Sequence, residues 1–188
     1  MKVGITPRFE QSPYGEFWYS FEKSILSGVI EAFDFSSLSL LSPEIHVDFD
    51  SLDLLIFSGG ATPGTNKSRD DFEAMLFLEG IRRKLPMIGI CRGAQLFAVL
   101  TGSSLKKISG HTNIVRQTNG ERNFGPCFHE WAIDSLSKEW KILSKDLRDD
   151  SIELFCHEKL PILGVLAHPE RCPESSELFV ELLRIIRL

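Results

Sequence analysis

Residues 87–95 read Met87-Ile88-Gly89-Ile90-Cys91-Arg92-Gly93-Ala94-Gln95. Four apolar or glycine residues run straight into a cysteine, and a helical pattern follows from Ala94 to Leu100. This order spells a buried strand, a tight turn and a helix. Glycines stand two residues before and two residues after Cys91, giving G-x-C-x-G. That is the nucleophile-elbow arrangement with cysteine in place of serine. A strained turn that exposes the side chain at its apex leaves no room for a Cβ on either flank, so glycine is needed there. The helix that follows points its first amides and the positive end of its dipole at the sulfur, which favours thiolate.

A lone cysteine after an apolar strand is ordinarily a packed core thiol. A second stretch argues otherwise here. Residues 162–167 form another apolar run, which ends in His168-Pro169-Glu170. A histidine at a strand end with a carboxylate two residues on supplies a base and its orienter. Nucleophile, base and orienter, each expected at the C-terminal end of its own strand, meet where α/β sheets hold their active sites.

Working outward, residues 1–6 read as a first strand and 7–15 as a loop. A helix is expected over 18–33, where Phe21, Ile25, Val29 and Phe33 recur every four residues. Short strands follow at 37–41 and 53–57, the latter apolar throughout, as in a parallel sheet buried on both faces. After Ser58-Gly59-Gly60 and a loop to Asn66, Ser68 and Asp71 read as a capping box for a helix to Lys84, with Phe72, Met75 and Leu76 as its buried stripe. Beyond Gly102, runs at 105–108, 128–133, 140–143, 152–156 and 162–167 read as strands with little helix between them. A last helix over 175–188 buries Leu178, Leu182 and Ile185 or Ile186. The pattern predicts an α/β fold in one domain over 1–188. Its doubly wound, mostly parallel sheet is flanked by helices, with an antiparallel extension in the C-terminal half.

The length of 188 residues suits one sizeable core. A net charge of −5 argues against a nucleic-acid or anionic membrane surface, and Lys106-Lys107 reads as a solvated strand end. Cysteines 91, 127, 156 and 172 have no C-x-x-C spacing, so neither zinc nor a disulfide framework is indicated. The opening run has no charged n-region or apolar h-region, and no apolar stretch reaches about 18 residues. No export signal or membrane span is therefore expected, and a catalytic thiol fits a reducing cytoplasm.

G-x-C-x-G-x-Q at 89–95, with H-P-E far downstream, resembles the class I glutamine amidotransferase superfamily. Ser58-Gly59-Gly60, Arg69-Asp70 with Glu73, Arg92 directly after the cysteine, and Phe128-His129-Glu130 resemble its γ-glutamyl hydrolase-like branch. The resemblance implies a flavodoxin-like fold and hydrolysis of a γ-glutamyl amide. Cys91 would attack the δ-carbonyl to form a γ-glutamyl thioester. His168 would act as acid and base, and Glu170 would orient it. It also implies an oxyanion hole from the backbone N–H groups of Gly60 and Arg92, in line with the strand end at Gly59-Gly60. Gln95, one turn after Cys91, would hold the glutamyl group with Gly59, and His129 would face the substrate unless it is a packed strand histidine.

The Arg92 side chain has two uses open to it: pairing with a substrate carboxylate or phosphate, or being held by an internal acid such as Glu73. His111 and Asn113 in a polar loop are further binding candidates, and Arg8 with Arg92 would meet a phosphate. Neither metal nor organic cofactor is required. Candidate substrates are γ-glutamyl-aminobutyrate, whose enzymes are usually longer chains, and γ-glutamyl-CDP-amidate of capsule phosphoramidate synthesis. The alternative is a glutaminase subunit that passes ammonia to a separate synthase, the one reading that calls for a protein partner.

Overall fold

Every residue of Leu54–Phe57 and Met87–Ile90 is buried, and the two faces of these strands feed two different cores. Leu54, Ile56, Ile88 and Ile90 pack with Ile25, Val29, Phe179 and Leu182, while Leu55, Phe57 and Met87 pack with Phe72, Leu76, Phe77 and Phe97. Period-two alternation between two apolar layers is what a sheet covered by helices on both faces requires.

The computed structural model describes residues 1–32, 37–120 and 122–186. In chain order its elements are β1 (Lys2–Ile5), β2 (Arg8–Gln11), β3 (Phe17–Ser20), α1 (Lys23–Ala32), β4 (Ser37–Leu40), β5 (Leu54–Phe57), α2 (Lys67–Arg83), β6 (Met87–Ile90) and α3 (Arg92–Leu100). Then follow β7 (Ser104–Lys107), β8 (Thr112–Val115), β9 (Pro126–Phe128), β10 (Trp131–Ser135), β11 (Trp140–Lys145), β12 (Ile152–His157), β13 (Ile162–Val165) and α4 (Ser175–Ile185). The main sheet has the order β4-β1-β5-β6-β13-β12-β10-β7, with β11 also paired to β12. From β4 to β13 neighbouring strands are parallel; from β12 onward they are antiparallel. The fold is the expected mixed sheet with helices on both faces and an antiparallel extension. No helix among the described residues is long and apolar enough to cross a membrane.

Local departures from the expected elements have physical reasons. The helix expected over 18–33 begins only at Lys23, because Phe17–Ser20 pairs with Arg8–Gln11 as a hairpin. Ser12 builds its turn: its hydroxyl accepts from the amides of Tyr14 and Glu16, and Gly15 takes φ +87°. Phe33, the last residue of the expected stripe, lies outside the described residues, as does Leu188 at the end of the last helix. The cap of α2 is Asn66, not Ser68; its side chain accepts from the Arg69 amide at 3.0 Å. On that helix Met75 is exposed and Phe77 takes the buried place. The single strand expected over 128–133 is two. The His129 amide bonds to His111 and the Glu130 carbonyl accepts from Ile108, so the chain leaves one hairpin for the main sheet between them.

Candidate active site

Cys91 joins β6 to α3 with φ 50° and ψ −102°, a conformation that costs about 1–3 kcal/mol for a residue with a Cβ. The fold holds it at both ends: its N–H donates to the Val165 carbonyl at 2.7 Å and its carbonyl accepts from the Gln95 amide at 3.0 Å. The flanking glycines are sterically required. A Cβ on Gly89 would lie 2.6 Å from the Gly93 carbonyl carbon, and one on Gly93 would lie 2.3 Å from the Phe57 oxygen. Backbone cannot give way as a side-chain tip can.

β13 runs parallel to β6 with Val165 opposite Ile90, so the chain leaving β13 arrives beside Cys91. His168 is fixed there by its amide, which donates to the Pro126 carbonyl at 2.9 Å. Its Nδ1 donates to Glu170 Oε1 at 2.6 Å. Glu170 sits in the short 3-10 turn Pro169–Arg171, so the histidine and the carboxylate come off one strand rather than two. Phe128 meets the ring edge-on at 5.5 Å between centroids. Gly59 lies beneath it: a Cβ there would be 3.0 Å from His168 Cε1 and 3.8 Å from Cys91 Cβ. Burial opposes charging of His168, but the adjoining Cys91 sulfur and the Glu170 carboxylate outweigh it and raise the pKa to about 9. At neutral pH the ring is therefore an imidazolium beside the sulfur.

Cys91 and His168 open into a cavity of about 360 Å³ whose walls include Gly60, Arg92, Arg8, Arg69 and Arg171. Gly60 has φ +143°, a backbone state that residues with a Cβ rarely adopt, and it stands near the start of the loop after β5, on the cavity wall. Arg92 opens α3, where first-turn N–H groups have no intrahelical acceptor.

The profile of the family described as "Glutamine amidotransferase class-I" matches residues 19–181. The chain belongs to this family. It is 33% identical over 133 residues to the carbamoyl phosphate synthase small chain of Streptococcus mutans, covering 65% of this chain and 37% of that one. It is 30% identical over 132 residues to the pyrimidine-specific small chain of Bacillus subtilis, covering 65% and 36%. The match thus spans little more than a third of the length of these curated relatives. Among solved structures, a candidate GMP synthase subunit from Thermoplasma acidophilum superposes with a TM-score of 0.76 at 18% identity, over 100% of this chain and 94% of that one. A glutamine amidotransferase from Thermotoga maritima gives 0.69 at 14% identity, over 98% and 82%. At these identities the structural matches speak for the fold alone.

Within this amidotransferase chain three side chains expected at the substrate make other contacts; for Arg92 and His129 these match the internal and packed readings left open above, and for Gln95 they differ from the expectation. Arg92 is 1% exposed, and its side chain is held by internal acids: Nη1 donates to Glu73 Oε2 and Nη2 to Asp70 Oδ1 at 2.5 Å. Both forks of the guanidinium are thereby taken. Gln95 turns toward β10, its amide donating to the Trp131 carbonyl at 2.8 Å. His129 donates from Nδ1 to the same carbonyl at 3.0 Å and packs against His111 rather than lining the cavity. Gly59 forms the floor under His168, and Asn113 is exposed on β8 with φ 54°.

Two arginines that the sequence left unassigned are part of the site. Arg69 Nη2 donates at 3.1 Å to the carbonyls of Ser58 and Gly59 and to the Ser58 hydroxyl, while its Nε donates to Glu73. It braces the loop that presents Gly60. Arg171 lies over the Phe128 ring at 4.1 Å and shares Glu22 with Arg8. Its place directly after H-P-E was the available signal. All four cysteines are free, and Cys127 is buried with His111, His129 and Glu153 behind the site.

Proposed function

We propose that this chain is a glutaminase, and that one domain over 1–188 hydrolyses the amide of glutamine to supply ammonia to a separate synthase chain. The observation that carries the chemistry is the His168 ring, bonded to Glu170 at 2.6 Å and adjoining Cys91 on an arginine-lined cavity. The Cys91 thiolate adds to the δ-carbonyl of glutamine, and the oxyanion is received by the backbone N–H groups of Gly60 and Arg92. His168 gives its proton to the amide nitrogen, the C–N bond breaks and ammonia leaves a γ-glutamyl thioester. His168, now neutral, takes a proton from water as it attacks the thioester; glutamate departs and the sulfur is regenerated. The synthase partner is supported by the likeness to carbamoyl phosphate synthase small chains, which by name are one chain of a larger enzyme.

A second reading is hydrolysis of a γ-glutamyl conjugate with an anionic leaving group, such as γ-glutamyl-CDP-amidate. It is favoured by Arg8 and Arg171, two cations on the cavity wall beyond what the thioester chemistry uses. The test is glutamate release by the purified chain from glutamine, γ-glutamyl-aminobutyrate and γ-glutamyl-CDP-amidate, with Cys91→Ala as the blank. The glutaminase reading expects Cys91-dependent release from glutamine, slow in the isolated chain and no faster from either conjugate. Rapid release from a conjugate with glutamine left intact would overturn it in favour of the second reading. No Cys91-dependent glutamate from any of the three would overturn both.

A further inference from the structure

Behind the Cys91–His168 pair, four side chains from separate elements converge. They are His111 before β8, Cys127 on β9, His129 after β9 and Glu153 on β12. One donor atom from each lies within 4.8 Å of all the others. Their exposures are 0%, 1%, 5% and 4%, so no solvent screens them from one another. The outward nitrogens of both rings are anchored: His111 Nε2 bonds to Asp149 Oδ2 at 2.7 Å and His129 Nδ1 to the Trp131 carbonyl at 3.0 Å. A carbonyl only accepts, so His129 Nδ1 carries the ring proton and Nε2 presents a lone pair. The inward nitrogens, His111 Nδ1 and His129 Nε2, have no hydrogen-bond partner among the described residues. Cys127 Sγ and Glu153 Oε2 lie 3.4 Å apart, and Glu153 Oε1 is 3.5 Å from His111 Nδ1.

We propose that His111, Cys127, His129 and Glu153 bind one divalent ion of the zinc class. Two imidazoles, a thiolate and a carboxylate form the mixed donor set that zinc accepts, and hard ions such as magnesium do not. Ligand histidines almost always hand their other N–H to a carboxylate or a backbone carbonyl, and here His111 does the first and His129 the second. Tetrahedral bonds of about 2.0–2.3 Å bring ligand atoms about 3.3–3.8 Å apart, which small side-chain shifts achieve from the observed spacing. Asp146 and Asp149, the other acids near His111, are both held by Arg116, and Asp149 supports the cluster by accepting from His111 Nε2. Four protein donors make a closed site, and its effect is structural. It ties β9 to β12 beneath the segment whose Pro126 carbonyl and Phe128 ring hold His168. The ligands stand at 111, 127, 129 and 153, a spacing without any compact motif, which is why the absence of C-x-x-C pointed away from zinc.

The test uses Cys91→Ala in a Cys156→Ser, Cys172→Ser background throughout, so that Cys127 is the one thiol left to bind the metal. After incubation with zinc sulfate and gel filtration, elemental analysis is expected to find about one zinc per chain. Adding Cys127→Ser or His129→Ala should lower zinc retention at a fixed free-zinc level by at least about tenfold. Cobalt loading of Cys91→Ala should give a sulfur-to-cobalt charge-transfer band, and this readout needs no second variant to fold. Retention of zinc by Cys91→Ala, with the band present, supports the site. Failure of the folded Cys91→Ala chain to retain zinc, absence of the band, or retention unchanged by Cys127→Ser overturns it. None of these readouts depends on amide hydrolysis.

Discussion

Glu73→Gln is the change that most directly tests how the cavity is held together. Glu73 is fully buried and its carboxylate stands between two arginines, accepting from Arg69 Nε at 2.9 Å on one oxygen and from Arg92 Nη1 on the other. A glutamine of the same shape keeps one acceptor and turns an N–H₂ against a guanidinium donor. Arg92 then keeps Asp70, whose side chain is 20% exposed, and Arg69 keeps only the uncharged oxygens of Ser58 and Gly59. Removing one partner of a buried pair costs about 3–5 kcal/mol, because the remaining charge is left uncompensated. With a urea slope of about 3 kcal/mol per M, the unfolding midpoint should fall by about 1–1.7 M. Asp70→Asn leaves Glu73 in place and should cost about 1 kcal/mol or less, since a part-exposed pair is screened. The assay is urea unfolding followed by far-UV circular dichroism. A midpoint shift below about 0.3 M for Glu73→Gln at unchanged slope, or a larger loss for Asp70→Asn, would refute this account of the network.

Two further expectations concern the proposed reaction. Gly59→Ala puts a methyl 3.0 Å from His168 Cε1, so the ring must give by a few tenths of an ångström. The kcat for glutamine should fall by about 10- to 100-fold with the unfolding midpoint nearly unchanged, and a kcat within about twofold of the parent would rule out that tight fit. His168 holds its proton up to about pH 9, and the proposed step needs that proton, so kcat/KM should decline as pH rises through about 9. Glu170 stabilises the cation by accepting from Nδ1, so Glu170→Gln should lower the His168 pKa and move the alkaline limb to lower pH. An alkaline limb that stays in place in the variant would contradict the proposed role of Glu170.

The stretch 87–95 was legible because its determinants are local. The glycines at 89 and 93 are excluded from carrying a Cβ by backbone within a few residues of the turn or on the next strand. His168 was legible for a similar reason, as the end of an apolar run. The hairpin of β2 and β3 was not, because Phe17, Trp18 and Tyr19 are exposed aromatics with no in–out alternation, and they run straight into the four-residue repeat that begins at Phe21. The break at His129-Glu130 was hidden too. Both residues sit in one β-prone run, and only their partners, His111 and Ile108, reveal two separate ladders. The cluster around Cys127 depends on residues up to 42 positions apart, from His111 to Glu153, and is visible only in three dimensions.

Arginine after the nucleophile resembled a marker of the free-standing hydrolases, and the structure changes what that residue can mean. Its side chain is closed off from the cavity contents by Glu73 and Asp70, and Asp70 also accepts from the Gly64 amide at 2.8 Å. Arg92 therefore acts on the loop between β5 and α2, and on the Gly60 amide through it, in either reaction. A charge buried in this way responds to the scaffold, not to the leaving group. Choice between glutamine and a larger γ-glutamyl conjugate must fall to groups that face the cavity with part of their surface exposed. Those include Arg8, Phe9 and Glu10 of the hairpin, Ala61, Thr65 and Asn66 of the loop between β5 and α2, and Arg171 at the end of the 3-10 turn. Arg8 and Arg171 hang on one carboxylate, Glu22 at the foot of α1, so the hairpin and the turn after His168 are positioned as a unit. On the proposed reaction, leaving-group preference is expected to follow the hairpin of β2 and β3 and the outer part of the loop between β5 and α2, while the elbow and His168 would serve either substrate.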